Sequence, residues 1–186
     1  MIDRELNYGR EAMASFLCKC LPYSTVLDIG AGKGHDLLTA RQIEPTFEHL
    51  KEVFWVLHEL SRVLKVGGHL IIGIPNLASL HNRLLLAAGR QPSSLKNNSA
   101  HIRGYTRSDF IRLLECFPRG YELEAWMGGN FDPLPRALAI PAAKLFPSMA
   151  WAIFLLFRKT RRYERQYLDF PKSEELETNF YLGPPD

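Results

Sequence analysis

Cysteine is scarce in this chain of 186 residues: there are three, Cys18, Cys20 and Cys116, with no CxxC pair among them. An odd number without paired spacing argues against a disulfide framework or a zinc site, and it fits a reducing cytoplasm. A long uninterrupted apolar run is also missing. The nearest approach, Leu138 to Phe157, contains Pro141, Lys144 and Pro147, and prolines and a charge at the middle of a span are costly in lipid. The N-terminal MIDRELNYGR is charged with no apolar run behind it, so neither a secretory signal nor an anchor is expected. Charge of one sign is lacking as well. The 23 basic and 20 acidic residues leave +3, too mild a balance to argue for a nucleic-acid partner. The one basic cluster is Arg158-Lys159-Thr160-Arg161-Arg162.

What is present is ordinary globular composition, 46% hydrophobic and 23% charged, in a chain long enough for a core without metal or disulfide staples. From Leu6 to Leu21 apolar residues recur at helical spacing, and Pro22 stops the run. Thr25 to Ile29 reads as a strand that breaks at Gly30, and Asp36 to Ala40 as helix. Leu50, Val53, Phe54, Leu57, Leu60, Val63 and Leu64 follow a 3.6-residue period that ends at Gly67-Gly68, the pattern of an amphipathic helix with a glycine stop. His69 to Ile74 is a nearly continuous apolar strand closed by Pro75-Asn76, as expected of a strand covered on both faces in a parallel sheet. Leu77 to Leu86 reads as helix, Gly89 to Ser99 as a polar loop, and Thr106 to Phe117 as a helix capped by its opening Thr. Tyr121 to Met127 and Met149 to Arg158 read as late strands, with the Pro-rich segment Pro133 to Pro147 between them.

Val26-Leu27-Asp28-Ile29-Gly30-Ala31-Gly32-Lys33-Gly34 places three glycines at alternate positions after a strand and before a helix. Glycine lets the backbone turn tightly and approach a ligand, and the amides at a helix start suit a carboxylate or phosphate. A dinucleotide fingerprint would need a glycine at position 35, where His35 stands. A plain strand-to-helix turn is the alternative to a ligand site.

VLDIGAGKGHDLL resembles the first motif of class I S-adenosylmethionine-dependent methyltransferases, and EHLKEVFWVLHELSRVLKVGGHLIIGIPN resembles their fourth-helix and fifth-strand block. The likeness is closest to the type 11 and type 23 small-molecule group. It continues through LASLHNRLLLAAGRQP, HIRGYTRSDFIRLLE and FPSMAWAIFLLFRK, covering about Tyr8 to Lys159. The resemblance implies an α/β fold, a Rossmann-like three-layer sandwich with a mostly parallel sheet. It implies S-adenosyl-L-methionine as cofactor, its methionine portion cradled by Asp28, Gly30, Ala31, Gly32 and Gly34. Asp28 suits the cofactor ammonium, and Arg10 its carboxylate, unless Arg10 is a solvated helix residue. His49 suits deprotonation of a hydroxyl acceptor, or else the Glu48-His49 pair is structural. Asn76 at a strand end, with His81, His101 and Arg103 around the polar loop, is expected to meet substrate. Arg83 and Tyr105 belong to the same polar set, for which an ordinary surface role is the alternative.

The pattern fails in one place. Only Arg41 to Thr46 separate Ala40 from Phe47, where the family places its second to fourth strands and the adenosine-binding residues. Two strand-helix units of about 30 residues each do not fit there. A natural deletion, a truncated gene product and an omitted segment each account for this. Family-like patterns intact on both sides favour omission. The expected organisation is therefore an incomplete methyltransferase-like domain over 1–159 and a charged tail over 160–186. The expected activity is methyl transfer to a small-molecule or lipid- or glycan-linked acceptor; the alternative is a non-catalytic binding or regulatory protein. A nicotinamide-dependent oxidoreductase is disfavoured by the GxGxG spacing. The apolar stretch from Pro135 to Phe157 and the basic run after it add an expectation of peripheral membrane contact, against a packed helix followed by an edge strand.

Overall fold

The computed structural model describes residues 15–22, 53–95, 103–115 and 120–176. Residues 15–19 are helical and bury Phe16 and Leu17. The first long element, α1 (Val53–Val63), buries Val53, Leu57 and Leu60 along one stripe, as the 3.6-residue period requires. It ends as the glycines predict: Gly67 takes φ +83°, a left-handed turn that costs glycine nothing. The turn feeds β1 (His69–Pro75).

After β1 come α2 (Leu80–Ala87), α3 (Arg107–Glu115), β2 (Tyr121–Gly129), α4 (Arg136–Leu145), β3 (Ala152–Lys159) and α5 (Gln166–Ser173). The start of α3 is built by Thr106, whose Oγ1 accepts from the Asp109 amide at 3.2 Å and donates to the Asp109 carboxylate at 2.6 Å, a reciprocal N-terminal cap. Helix α4 forms in the Pro-rich segment despite Pro141 inside it. Within the segment read from sequence as a charged tail, α5 buries Tyr167, Leu168 and Pro171, and Phe170 meets Phe54 of α1 with ring centroids 5.7 Å apart.

The sheet corrects the fold expectation. Its strand order is β1-β3-β2, and both pairings are antiparallel. His69 lies opposite Arg158 and Pro75 opposite Ala152; on the other side, Tyr121 lies opposite Lys159 and Gly129 opposite Ala152. Among the described residues there is thus a small antiparallel sheet, and the mostly parallel Rossmann-like sandwich is not observed. β1 and β2 do run the same way, since each is antiparallel to β3, but they never pair. The physical reason is plain. A continuous apolar run reports only that both faces of a strand are covered, whereas direction depends on where the chain crosses. The late strand expected at an edge, β3, is the centre, and Ile153 to Phe157 are all buried.

Side chains alternate across β3. Ile153, Leu155 and Phe157 join Ile72 and Ile74 of β1, the α1 stripe, and Phe110 and Leu114 of α3. Phe154 and Leu156 face the other way, against Ile71, Phe16 and Leu17. A third cluster packs Ala139 and Ala143 of α4 on Phe131 and Ala150, with Leu80 of α2 at its margin.

Candidate functional site

The sequence-expected residues that fall within the described part meet at the end of β1. Asn76 immediately follows the strand and is 1% exposed. Its Nδ2 donates to the Ser148 and Ala150 carbonyls, each at 2.9 Å, and its Oδ1 accepts from the Ala78 amide at 3.0 Å. Its own carbonyl accepts from Asn82 Nδ2 at 3.1 Å, and its amide donates to the Trp151 carbonyl at 2.8 Å. Every polar atom of Asn76 is engaged by the protein. The residue ties the end of β1 to the turn before β3 and to α2.

A single parallel bridge joins Asn76 to Tyr105, and the Leu77 amide donates to the Tyr105 carbonyl at 2.9 Å. The chain just before Tyr105 is held close. A Cβ on Gly104 would lie 3.1 Å from Leu95 and 3.2 Å from Leu77, so this segment presses on both leucines. Exposed Arg103 is thereby carried to the same end of the sheet.

His81, in the first turn of α2, pairs with Asp132 after β2: Nδ1 lies 3.2 Å from Oδ2, with the His81 side chain 31% exposed and that of Asp132 51% exposed. The imidazole also lies over Trp151, with ring centroids 5.4 Å apart. A carboxylate on Nδ1 fixes the tautomer and orients the ring, leaving Nε2 as a proton acceptor. Asp132 and Trp151 are partners of His81 that the sequence reading missed. They lie 51 and 70 positions after His81, with no local motif to join them. Arg83, two residues on, turns back to cap the Ala78 carbonyl at 2.7 Å.

A second polar cluster sits where α5 crosses α1. Lys159 is 4% exposed, and its ammonium donates to the Ser61 carbonyl at 2.5 Å and to the Leu64 carbonyl at 2.7 Å. It caps the C-terminal carbonyls of α1, where the helix dipole favours a cation. Burial lowers its pKa. Tyr121 hydroxyl and Ser61 Oγ are 2.9 Å apart, and Tyr163 hydroxyl lies 2.8 Å from His58 Nδ1. Burial pushes the Tyr121 and Tyr163 hydroxyls up to about 12, with the Ser61 bond opposing it at Tyr121. The Tyr167 hydroxyl is pushed higher still, by burial and by Tyr121 and Tyr163 beside it. The cavity left here is about 20 Å3, room for about one water. Its buried groups bond one another, and the cluster is a structural seam.

The remaining sequence-expected residues, Arg10, Asp28, Gly30, Ala31, Gly32, Gly34, His49 and His101, lie outside the described residues, as does the short connection over 41–46. Among the described residues no group of three or more His, Cys, Asp or Glu could hold a metal ion, and no helix is long and apolar enough to cross a membrane. Cys18 and Cys20 are free thiols, and burial, with Glu124 nearby, raises the Cys20 pKa. The chain matches no protein-family model and no curated protein.

Proposed function

We propose that this chain is, or derives from, an S-adenosylmethionine-dependent methyltransferase acting on a small-molecule or lipid- or glycan-linked acceptor. The observation that carries the proposal is the stretch VLDIGAGKGHDLL, followed by EHLKEVFWVLHELSRVLKVGGHLIIGIPN. The described part of the second block runs helix, glycine turn, strand, Asn76, in the order its sequence announces. Asp28 and the glycines around it offer a carboxylate for an ammonium and close backbone approach for the rest of a methionine moiety. When bound, the cofactor supplies an electrophilic methyl on a sulfonium.

The chain's own contribution at the end of β1 is proton handling and positioning. His81 Nε2 accepts the hydroxyl proton of an acceptor, and Asp132 on Nδ1 balances the imidazolium that results. Trp151 packs against the same ring and gives an acceptor an apolar surface. Direct displacement depends mainly on holding acceptor and methyl in line, so an extended catalytic constellation is not required. We place the protein in the reducing cytoplasm, in peripheral contact with a membrane that carries a lipid-linked acceptor.

Isothermal titration with S-adenosylmethionine tests the proposal. A folded sample that gives binding heat, lost in Asp28→Ala, supports it. No heat at millimolar cofactor refutes it for this chain and leaves a non-catalytic binding or regulatory protein.

A further inference from the structure

Two helices of this protein carry some of their leucines on the outside. On α4, Ala139 and Ala143 are 2% and 3% exposed and form the packed stripe. Leu138, Pro141 and Leu145, at i, i+3 and i+7, lie on another face and are exposed, with Leu138 at 57% and Leu145 at 74%. Phe146 extends that surface at 56%. On α2 the usual order is inverted: Asn82 is 1% exposed, while Leu84 and Leu86 are 60% and 57% exposed. The burial of Asn82 has a local cause. Its Nδ2 donates to the Asn76 carbonyl, and its Oδ1 accepts from the Ser93 amide and hydroxyl. That network holds Asn82 inward and leaves Leu84, two positions on, facing the opposite side of the helix. Leu80 of α2 packs at the margin of the cluster that holds Ala139 and Ala143 of α4, and His81 of α2 pairs with Asp132 ahead of α4.

The charges on these helices have one sign. Neither helix contains an acidic residue, and there is none anywhere between Glu59 and Asp109 or between Asp132 and Glu164. Asp132, the acid closest in sequence to α4, is paired with His81. Lys144 on α4, Arg83 on α2 and Arg90 after it are exposed. Apolar side chains gathered on one exposed helix face mark an interaction surface, and a helix with a lysine and no acid favours an anionic partner. A second copy of the chain would set basic surface against basic surface. The ten residues of α4 are about half of a span, so the helix suits lying along a bilayer interface with its leucines in the acyl boundary.

We infer that the outward face of α4, formed by Leu138, Pro141 and Leu145 and extended by Phe146, docks the protein on an anionic lipid bilayer. The inference rests on the peripheral membrane contact proposed above and names the surface that makes it. The buried residues of β3 drop out of that role: most of the apolar run after Pro147 is core, and the contact falls to side chains before it.

Flotation of the full chain with phosphatidylcholine vesicles, with and without phosphatidylserine, tests this. The protein is expected to float with the serine lipid at low salt and to be released as salt rises. A Leu138→Ser/Leu145→Ser/Phe146→Ser variant, checked for an unchanged unfolding transition, is expected to lose at least about tenfold in vesicle affinity. Lys144→Glu is expected to lose about tenfold at low salt. Trp55→Ser, an exposed aromatic on α1, is expected to float as the parent does. If the parent never floats, the inference and the membrane contact beneath it both fall. If the parent floats and the triple variant floats equally, the contact stands and this surface is wrong. Self-association that the triple variant abolishes, without flotation, overturns the inference in favour of a second copy.

Discussion

Replacing Asn76 by alanine separates a residue that builds the site from one that only borders substrate. The side chain makes three hydrogen bonds, to the Ser148 and Ala150 carbonyls and from the Ala78 amide, at 2.9, 2.9 and 3.0 Å, and the residue is 1% exposed. Asn76→Ala leaves two carbonyls and one amide without these partners. Each buried group so stranded costs about 1–3 kcal/mol, less where water can enter. Ser148 is exposed, so water can reach its carbonyl, and the expected total is about 3 kcal/mol. Against a usual domain stability of about 5–15 kcal/mol that is a large fraction. Urea denaturation followed by far-ultraviolet circular dichroism reads it as a midpoint lowered by about 1.5 M at ordinary slopes. Asn76→Asp sharpens the test. Its carboxylate faces two carbonyl oxygens, which raises its folded-state pKa above the unfolded value near 3.9. Its destabilisation is therefore least below about pH 4 and grows as pH rises through the folded pKa. A loss under about 1 kcal/mol for Asn76→Ala, or no pH dependence for Asn76→Asp, would refute the structural role.

Other consequences are equally open to measurement. Tyr121 and Tyr163 have pKa values pushed up to about 12 and Tyr167 is raised further; their contribution to stability is complete below about pH 10 and lost as pH climbs toward 12. Lys159, lowered by burial, acts in the opposite sense just below its unfolded pKa, one group against three, so alkaline unfolding with release of tyrosinate absorbance is expected and an unchanged fold at pH 12 would contradict it. Lys159→Ala uncaps α1 and is expected to cost about 2 kcal/mol in chemical denaturation. A Cβ on Gly128 would lie 2.6 Å from Ala150 Cβ and 2.8 Å from the Pro147 carbonyl oxygen, whereas one on Gly120 meets nothing within 4 Å. Gly128→Ala should therefore cost about 1–3 kcal/mol and Gly120→Ala much less, and equal melting temperatures would refute the close approach. In a methyl-transfer assay, His81→Gln should lower kcat about 100-fold or more for a hydroxyl acceptor. Asp132→Asn should lower it less and shift the pH profile, while an unshifted profile would remove Asp132 as the positioning partner.

Local pattern made much of this fold legible. The α1 stripe and its glycine stop, β1 with its closing Pro75-Asn76, the Thr106 cap of α3 and the strand from Tyr121 all follow from periodicity and end signals within about a dozen residues. Helix α4 matches the packed-helix reading of the stretch from Pro135, and the intrinsic cost of Pro141 inside it is outweighed by packing of Ala139 and Ala143 on Phe131 and Ala150. Helix α5 was hidden by charge, and its signal is the buried set Tyr167, Leu168 and Pro171. At the candidate site, the position of Asn76 at a strand end could be read from sequence. Its saturation by backbone groups more than 70 residues away could not.

By itself, the sequence determined which segments must be covered on both faces and where helices start and stop, because those properties are set by neighbours along the chain. The tertiary structure alone decided that β3 enters antiparallel between β1 and β2. It also brought Asp132 to His81 and left Leu84 facing outward when Asn82 found its partners inside. Strand direction, an ion pair across 51 positions and the facing of a helix all depend on contacts between segments remote in sequence, and local periodicity carries no record of them.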